Sequence, residues 1–178
     1  MKKIVLINGV IAGAIAGGML FISTPLVRDG MLSFDSGTLV GYTTMVVALS
    51  MVFFGIKSYR DQHLGGTITF GKALAVGALI TVVASCVYAL VWEVCYHTVA
   101  SGFMDGMADY YLREKREEGA TAAELEQYSR EMNDMMVMYQ NPFIRFGMTV
   151  MEILPVGVVL TLLSAVLLRK KAFLPATE

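Results

Sequence analysis

Charge is scarce in this chain: Asp, Glu, Lys and Arg together make up 16% of its 178 residues, while 56% are hydrophobic. Soluble domains carry about 25% charged and roughly 45 to 50% apolar residues, so an ordinary water-solvated globule is excluded first. Acidic and basic residues nearly cancel, leaving a formal net charge of -1. Without a basic surplus to neutralise phosphates, nucleic acid is excluded as a partner. Cysteine is limited to Cys86 and Cys95. On one helix that separation is about 13 Å and half a rotation, too far for a disulfide. No CxxC or Cys/His spacing suggests zinc. P-loop, dinucleotide fingerprint, HExxH and nucleophile constellations are also missing, so neither an enzyme nor a cofactor is expected.

What the chain has is apolar blocks, with a mean hydropathy of +0.61. Residues 4–27 carry no charge between Lys3 and Arg28, and 36–56 carry none between Asp35 and Lys57. A third block, 73–98, is uncharged until Glu93; a fourth, 146–168, holds Glu152 and Pro155 between Arg145 and Arg169. About 20 such residues cross a hydrocarbon core. The first block has a small-x-small site at Ala14-Ile15-Ala16, yet its apolar run continues through Met19-Leu20-Phe21-Ile22, beyond a signal-peptide core. It is expected to be retained. The expected fold class is therefore an all-α membrane protein, a single integral-membrane domain with four transmembrane helices.

Basic residues set the orientation. Lys2 and Lys3, then Lys57, Arg60 and Lys72, then Arg169, Lys170 and Lys171 flank one set of ends, against Arg28 in the first loop. The positive-inside rule puts both termini in the cytoplasm of a bacterial inner-membrane protein. The connection between the third and fourth spans is then extracytoplasmic. Phe103, Met107, Tyr110, Tyr111 and Glu114 have helical spacing up to Gly119, a candidate left-handed cap. Thr121-Ala122-Ala123-Glu124 is a capping box, after which Leu125, Tyr128, Met132, Met135 and Tyr139 trace one amphipathic face until Asn141-Pro142. A helical hairpin over about 103–140 is expected.

The loop after the second block carries a family resemblance. Phe54-Gly55-Ile56-Lys57-Ser58-Tyr59-Arg60-Asp61, then Gly66-Thr67-Ile68-Thr69-Phe70-Gly71-Lys72-Ala73, resembles the signature of a bacterial family of small four-helix inner-membrane proteins, catalogued as domain of unknown function 4199. A glycine-rich first helix, an acidic helical segment and Glu152-Ile153-Leu154-Pro155-Val156-Gly157 extend the resemblance over most of the chain. It implies the architecture and supplies no mechanism. Physically, Lys57, Tyr59, Arg60, Asp61 and Lys72 suit either an anchor in the headgroup layer or a docking surface for a cytoplasmic protein or an anionic lipid. Gly65-Gly66 reads as a turn and Thr69 as an N-cap.

Three further constellations carry possible chemistry. Gly9, Gly13 and Gly17 recur at spacing four, a small-residue face that lets helices approach closely. Its partner is either a helix of the same chain or a second copy in a homo-oligomer. Glu93 and Glu152 are the carboxylates within apolar blocks, where a charge costs about 2.5 to 3.5 kcal/mol on insertion scales. With His97 one turn beyond Glu93, they form a candidate polar cluster for protons or a cation; the alternative is structural satisfaction within the bundle. Met104, Met107, Met132 and Met135 offer paired thioethers, weak candidates for Cu(I), or simply adaptable packing. The overall expectation is a membrane protein in contact with lipid, structural or interactive in role, with a small proton- or cation-coupled transporter subunit using Glu93 and Glu152 as the alternative.

Overall fold

A computed structural model of the chain describes residues 1–170 and Leu174. Lys171 of the expected C-terminal basic cluster lies outside the described residues. Among the described residues, six helices and no strand make up the fold: α1 (Lys2–Arg28), α2 (Phe34–His63), α3 (Phe70–Thr98), α4 (Phe103–Glu117), α5 (Ala122–Tyr139) and α6 (Pro142–Leu168). α1, α2, α3 and α6 are long and apolar enough to cross a membrane. Each keeps large apolar side chains on its outer face, such as Leu6, Val47, Leu90 and Leu163. That is the pattern of helices solvated by hydrocarbon.

Local chemistry explains the boundaries. α1 ends where Gly30 turns left-handed at φ 73°, and Ser33 opens α2 by accepting from the Ser36 amide. Gly65 and Gly66, at φ 60° and 82°, end α2, after which Thr69 accepts from the Lys72 amide and starts α3. Gly119, at φ 90°, closes α4, and the Thr121–Glu124 capping box opens α5. Asn141 caps α6 with Pro142 in its first turn, where a missing amide hydrogen costs nothing.

One boundary differs from the sequence expectation. The second apolar block was expected to give way to a loop after Ile56, but α2 continues to His63. The first lysine marks the end of the uncharged run and not of the helix. Lys57 and Asp61, four residues apart and 2.7 Å apart, carry the helix on. The residues from Lys57 to Asp61 therefore sit on the last turns of a helix.

The four long helices form a bundle in which α3 touches the other three, while α1 and α6 occupy opposite corners. The glycine face of α1 is filled from inside the chain: Gly9, Gly13 and Gly17 lie against Val83, Val87 and Val91 of α3. A Cβ on Gly13 would lie 2.6 Å from the Ala84 carbonyl oxygen, so the backbones approach as closely as glycine allows. This face, one of the two partners of which was a second copy, is occupied by α3. Ala12, Ala48, Leu49, Val52, Ile80 and Ile153 are fully enclosed between the helices. α3 and α6 are joined by a buried hydroxyl pair, Thr81 and Thr161, with oxygens 3.2 Å apart.

α4 and α5 pack on each other and over one end of the bundle, α5 against α6 and α4 against α1. Phe34, the first residue of α2, sits 5.4 Å from the Phe103 ring and 5.3 Å from the Tyr110 ring of α4.

Candidate functional site

Glu93 projects from the last turns of α3 beside Arg145 in the first turn of α6. The guanidinium grips both carboxylate oxygens, Nε to Oε1 at 2.9 Å and Nη2 to Oε2 at 2.6 Å. Its Nη1 donates to the Tyr139 carbonyl at 2.9 Å, and the group lies 4.0 Å above the centre of the Tyr96 ring. Only 2% of the Arg145 side chain is exposed, against 21% for Glu93. A two-pronged guanidinium–carboxylate pair is the strongest geometry such charges adopt. The pair fastens α3 to α6 and, through Tyr139, to the end of α5. His97 stands one turn along, 3.8 Å from Glu93, with most of its ring in the open.

Next to this clamp is a cavity of about 310 Å³, walled by α1, α2, α3 and α6 and roofed by α4 and α5. Trp92 and Tyr139 belong to both: the indole donates to the Tyr139 hydroxyl at 2.7 Å, and both rings line the cavity. Tyr42 and Tyr88 face it from α2 and α3, and Met104, Met107, Met135 and Met148 complete its softer side. Ser23 and Thr24 contribute from α1, but the Ser23 hydroxyl already donates to the Met19 carbonyl. Among the described residues, Glu152 is the one carboxylate in the lining, and no lysine or arginine is part of it. Among the described residues, neither the Glu152 carboxylate nor the Tyr88 hydroxyl has a hydrogen-bond partner.

The roof is held by a few specific contacts. The Tyr110 hydroxyl donates to Asp35 at 3.0 Å, which pushes the Tyr110 phenol above its ordinary range because ionisation would forfeit that bond. Arg28 donates to the Val99 carbonyl at 3.1 Å, tying the end of α1 to the C-cap of α3 just before the roof begins.

The sequence candidates are thus redistributed. Glu93 and His97 do come together, but around Arg145, and Glu152 is in the cavity without a hydrogen bond or ion pair to either. Met104, Met107 and Met135 share the cavity, whereas Met132 is buried elsewhere on α5. At the opposite end of the bundle Arg60 is fully buried, with Nε 2.6 Å from Asp61 and Nη2 donating to the Leu174 carbonyl. Asp61 also holds Lys57, and Tyr59 stacks on His63 at 5.2 Å. Of that proposed docking surface, Lys72 stays exposed while Arg60 and Asp61 are engaged internally. Sequence reasoning missed Arg145 as a partner of Glu93. The available signal was an arginine at the start of the fourth block, level with a carboxylate near the end of the third. Among the described residues, no three His, Cys, Asp or Glu side chains group closely enough to hold a metal ion.

Over residues 8–170 the chain matches the family described as protein of unknown function DUF4199, and it belongs to that family. No curated protein and no solved structure matches it.

Proposed function

We propose that this chain is a multi-pass protein of the bacterial inner membrane that works by holding a small ligand in the chamber beneath α4 and α5, without catalysing a reaction on it. In this reading α1, α2, α3 and α6 are the spans, both termini are cytoplasmic, and α4 and α5 form an extracytoplasmic hairpin. The basic residues support that orientation, because Lys2, Lys3, Lys57, Lys72, Arg169 and Lys170 all fall at the end of the bundle away from α4 and α5. The observation that carries the functional reading is the chamber itself. It is concave, mainly apolar and aromatic, with polar groups contributed by hydroxyls and one carboxylate, as small-molecule sites are. Among the described residues its lining holds a single carboxylate and no histidine, cysteine or lysine, which supports binding over chemistry.

The geometry favours this over a two-carboxylate proton path. Glu93 is held by Arg145 through two hydrogen bonds, and a relay would have to break both. A soft-metal reading keeps one specific support, the gathering of Met104, Met107, Met135 and Met148 around one space. Retention of Cu(I) by the purified protein under reducing conditions would favour it, and absence of retention would remove it.

The experiment uses a cysteine-free background, Cys86→Ala with Cys95→Ala, carrying either Glu118→Cys or Lys72→Cys. A membrane-impermeant maleimide applied to spheroplasts should label position 118 and should reach position 72 only after permeabilisation. The reverse pattern would overturn the orientation. In the wild-type protein, acrylamide should quench Trp92, the one tryptophan of the chain. A Trp92 emission indifferent to that aqueous quencher would show a chamber closed to solutes and overturn the binding role.

A further inference from the structure

We infer that the chamber accepts a lipophilic organic cation, an amine or quaternary ammonium group carried on an aryl or alkyl body. The inference rests on the binding role proposed above and adds the chemical class of the ligand. Charge comes first. Glu152 is the sole acidic residue of the lining, and no basic side chain there answers it. A carboxylate facing an apolar chamber is stabilised by whatever cation enters, and an anionic ligand would meet it as a like charge.

The walls then say which cation. Tyr42, Tyr88, Trp92 and Tyr139 present aromatic rings, whose negative faces attract ammonium groups and do so best when desolvated. Met104 and Met107 give a polarisable, adaptable surface for an apolar body. Calcium or magnesium would need six or more oxygen ligands, and one carboxylate amid aromatic and thioether groups does not supply them. The size also fits. At about 310 Å³ the space is roughly twice the 150 Å³ of an apolar cavity that admits one benzene ring. The Tyr88 hydroxyl, unpartnered among the described residues, is available to a ligand N–H or to a water beside it.

Trp92 makes the test direct, because the only indole in the chain lines the chamber and reports its occupancy. The full-length protein in nanodiscs would be titrated with benzyltrimethylammonium, with its uncharged isostere neopentylbenzene, and with benzylsulfonate. The cation should perturb Trp92 emission saturably and bind at least tenfold more tightly than either of the others. Glu152→Gln should abolish that preference, and a cooperative unfolding transition at the wild-type midpoint reports that the variant is folded. Glu152→Asp should retain the preference. Equal affinity for the cation and the isostere, or a preference that survives Glu152→Gln, would overturn the cation assignment and leave the chamber a general apolar site. Tighter binding of the sulfonate would overturn it as well. No response of Trp92 to any of the three would overturn both the assignment and the binding role on which it rests.

Discussion

Replacing Arg145 with leucine removes one half of a nearly enclosed ion pair and leaves the other half in place. The Arg145 side chain is 2% exposed and Glu93 is 21% exposed, so the stranded carboxylate keeps only partial access to solvent. Breaking a buried pair from one side costs about 3 to 5 kcal/mol, and the partial exposure of Glu93 puts this one near the lower figure. Loss of the hydrogen bond to the Tyr139 carbonyl adds about 1 kcal/mol. A total near 4 kcal/mol is expected for Arg145→Leu. The double variant Glu93→Leu/Arg145→Leu removes both charges and should lose only about 1 kcal/mol, because a stranded ion and not the missing attraction dominates the single variant. Arg145→Lys should fall between, since an ammonium keeps the charge but lacks the planar fork. SDS-driven unfolding in mixed micelles, followed by Trp92 emission, measures all three. Single and double variants equal within about 1 kcal/mol would refute the reasoning, because the cost would then belong to packing and not to an uncompensated charge.

Two neighbouring glycines should respond oppositely to alanine. Gly13→Ala places a methyl 2.6 Å from a carbonyl oxygen that cannot rotate away, and should cost about 1 to 3 kcal/mol in the same unfolding assay. Gly18→Ala meets nothing within 4 Å and should be neutral or stabilising by roughly 0.5 kcal/mol through its effect on the unfolded chain. The capping box predicts a pH dependence. The Thr121 amide, then its hydroxyl, hold the Glu124 carboxyl below its ordinary range. A carboxyl depressed on folding stabilises above its unfolded pKa, and that contribution is lost as pH falls through the lower, folded value. Amide exchange in the first turn of α5 should therefore be steady at neutral pH and accelerate in acid beyond its chemical pH dependence, and Glu124→Gln should erase that excess. At the other end, Asp61→Asn should weaken the hold on both Lys57 and buried Arg60 and lower the unfolding midpoint more than Asp29→Asn, whose partner Arg28 is exposed.

The helices were legible because their signals are local. Uncharged runs, the Thr121–Glu124 box, the Asn141-Pro142 start and Gly119 each act within a few residues, and sequence spacing displays them. α2 runs seven residues past its uncharged block for the same reason: a charge ends an apolar run, while the helix needs only its own hydrogen bonds and a Lys57–Asp61 pair to continue. The glycine face announced close approach but not its partner. Val83, Val87 and Val91, which fill it, are unremarkable as a sequence because β-branched residues at spacing four occur in any apolar helix. The same holds for Gly77 and Gly157, which pack against Thr161 and Thr81 and give the glycine of the Glu-x-x-Pro-x-Gly motif a physical purpose at the α3–α6 contact.

The polar site was only half legible because cost identifies a buried charge while geometry identifies its partner. Glu93 and Glu152 both stand out in an apolar block, and sequence alone treats them alike. They separate once depth is considered. Glu93 lies at the end of α3, level with the beginning of α6, where Arg145 can reach it; Glu152 lies seven residues farther along α6, about 10 Å deeper at 1.5 Å per residue. No basic side chain is part of the lining at that depth. The clamp thus consumes the arginine at the start of α6 and leaves Glu152 as a carboxyl of the chamber without a basic partner in the lining. Arg145 therefore acts on Glu152 by being unavailable to it. If Glu93→Gln freed the guanidinium to turn inward, the chamber would lose its unbalanced carboxylate and with it the preference for cations, although Glu93 itself lines no part of it. A Glu93→Gln protein that stays folded but binds benzyltrimethylammonium and neopentylbenzene equally would establish that division of labour; one that keeps the full cation preference would show that Arg145 stays fixed by Tyr96, Tyr139 and His97.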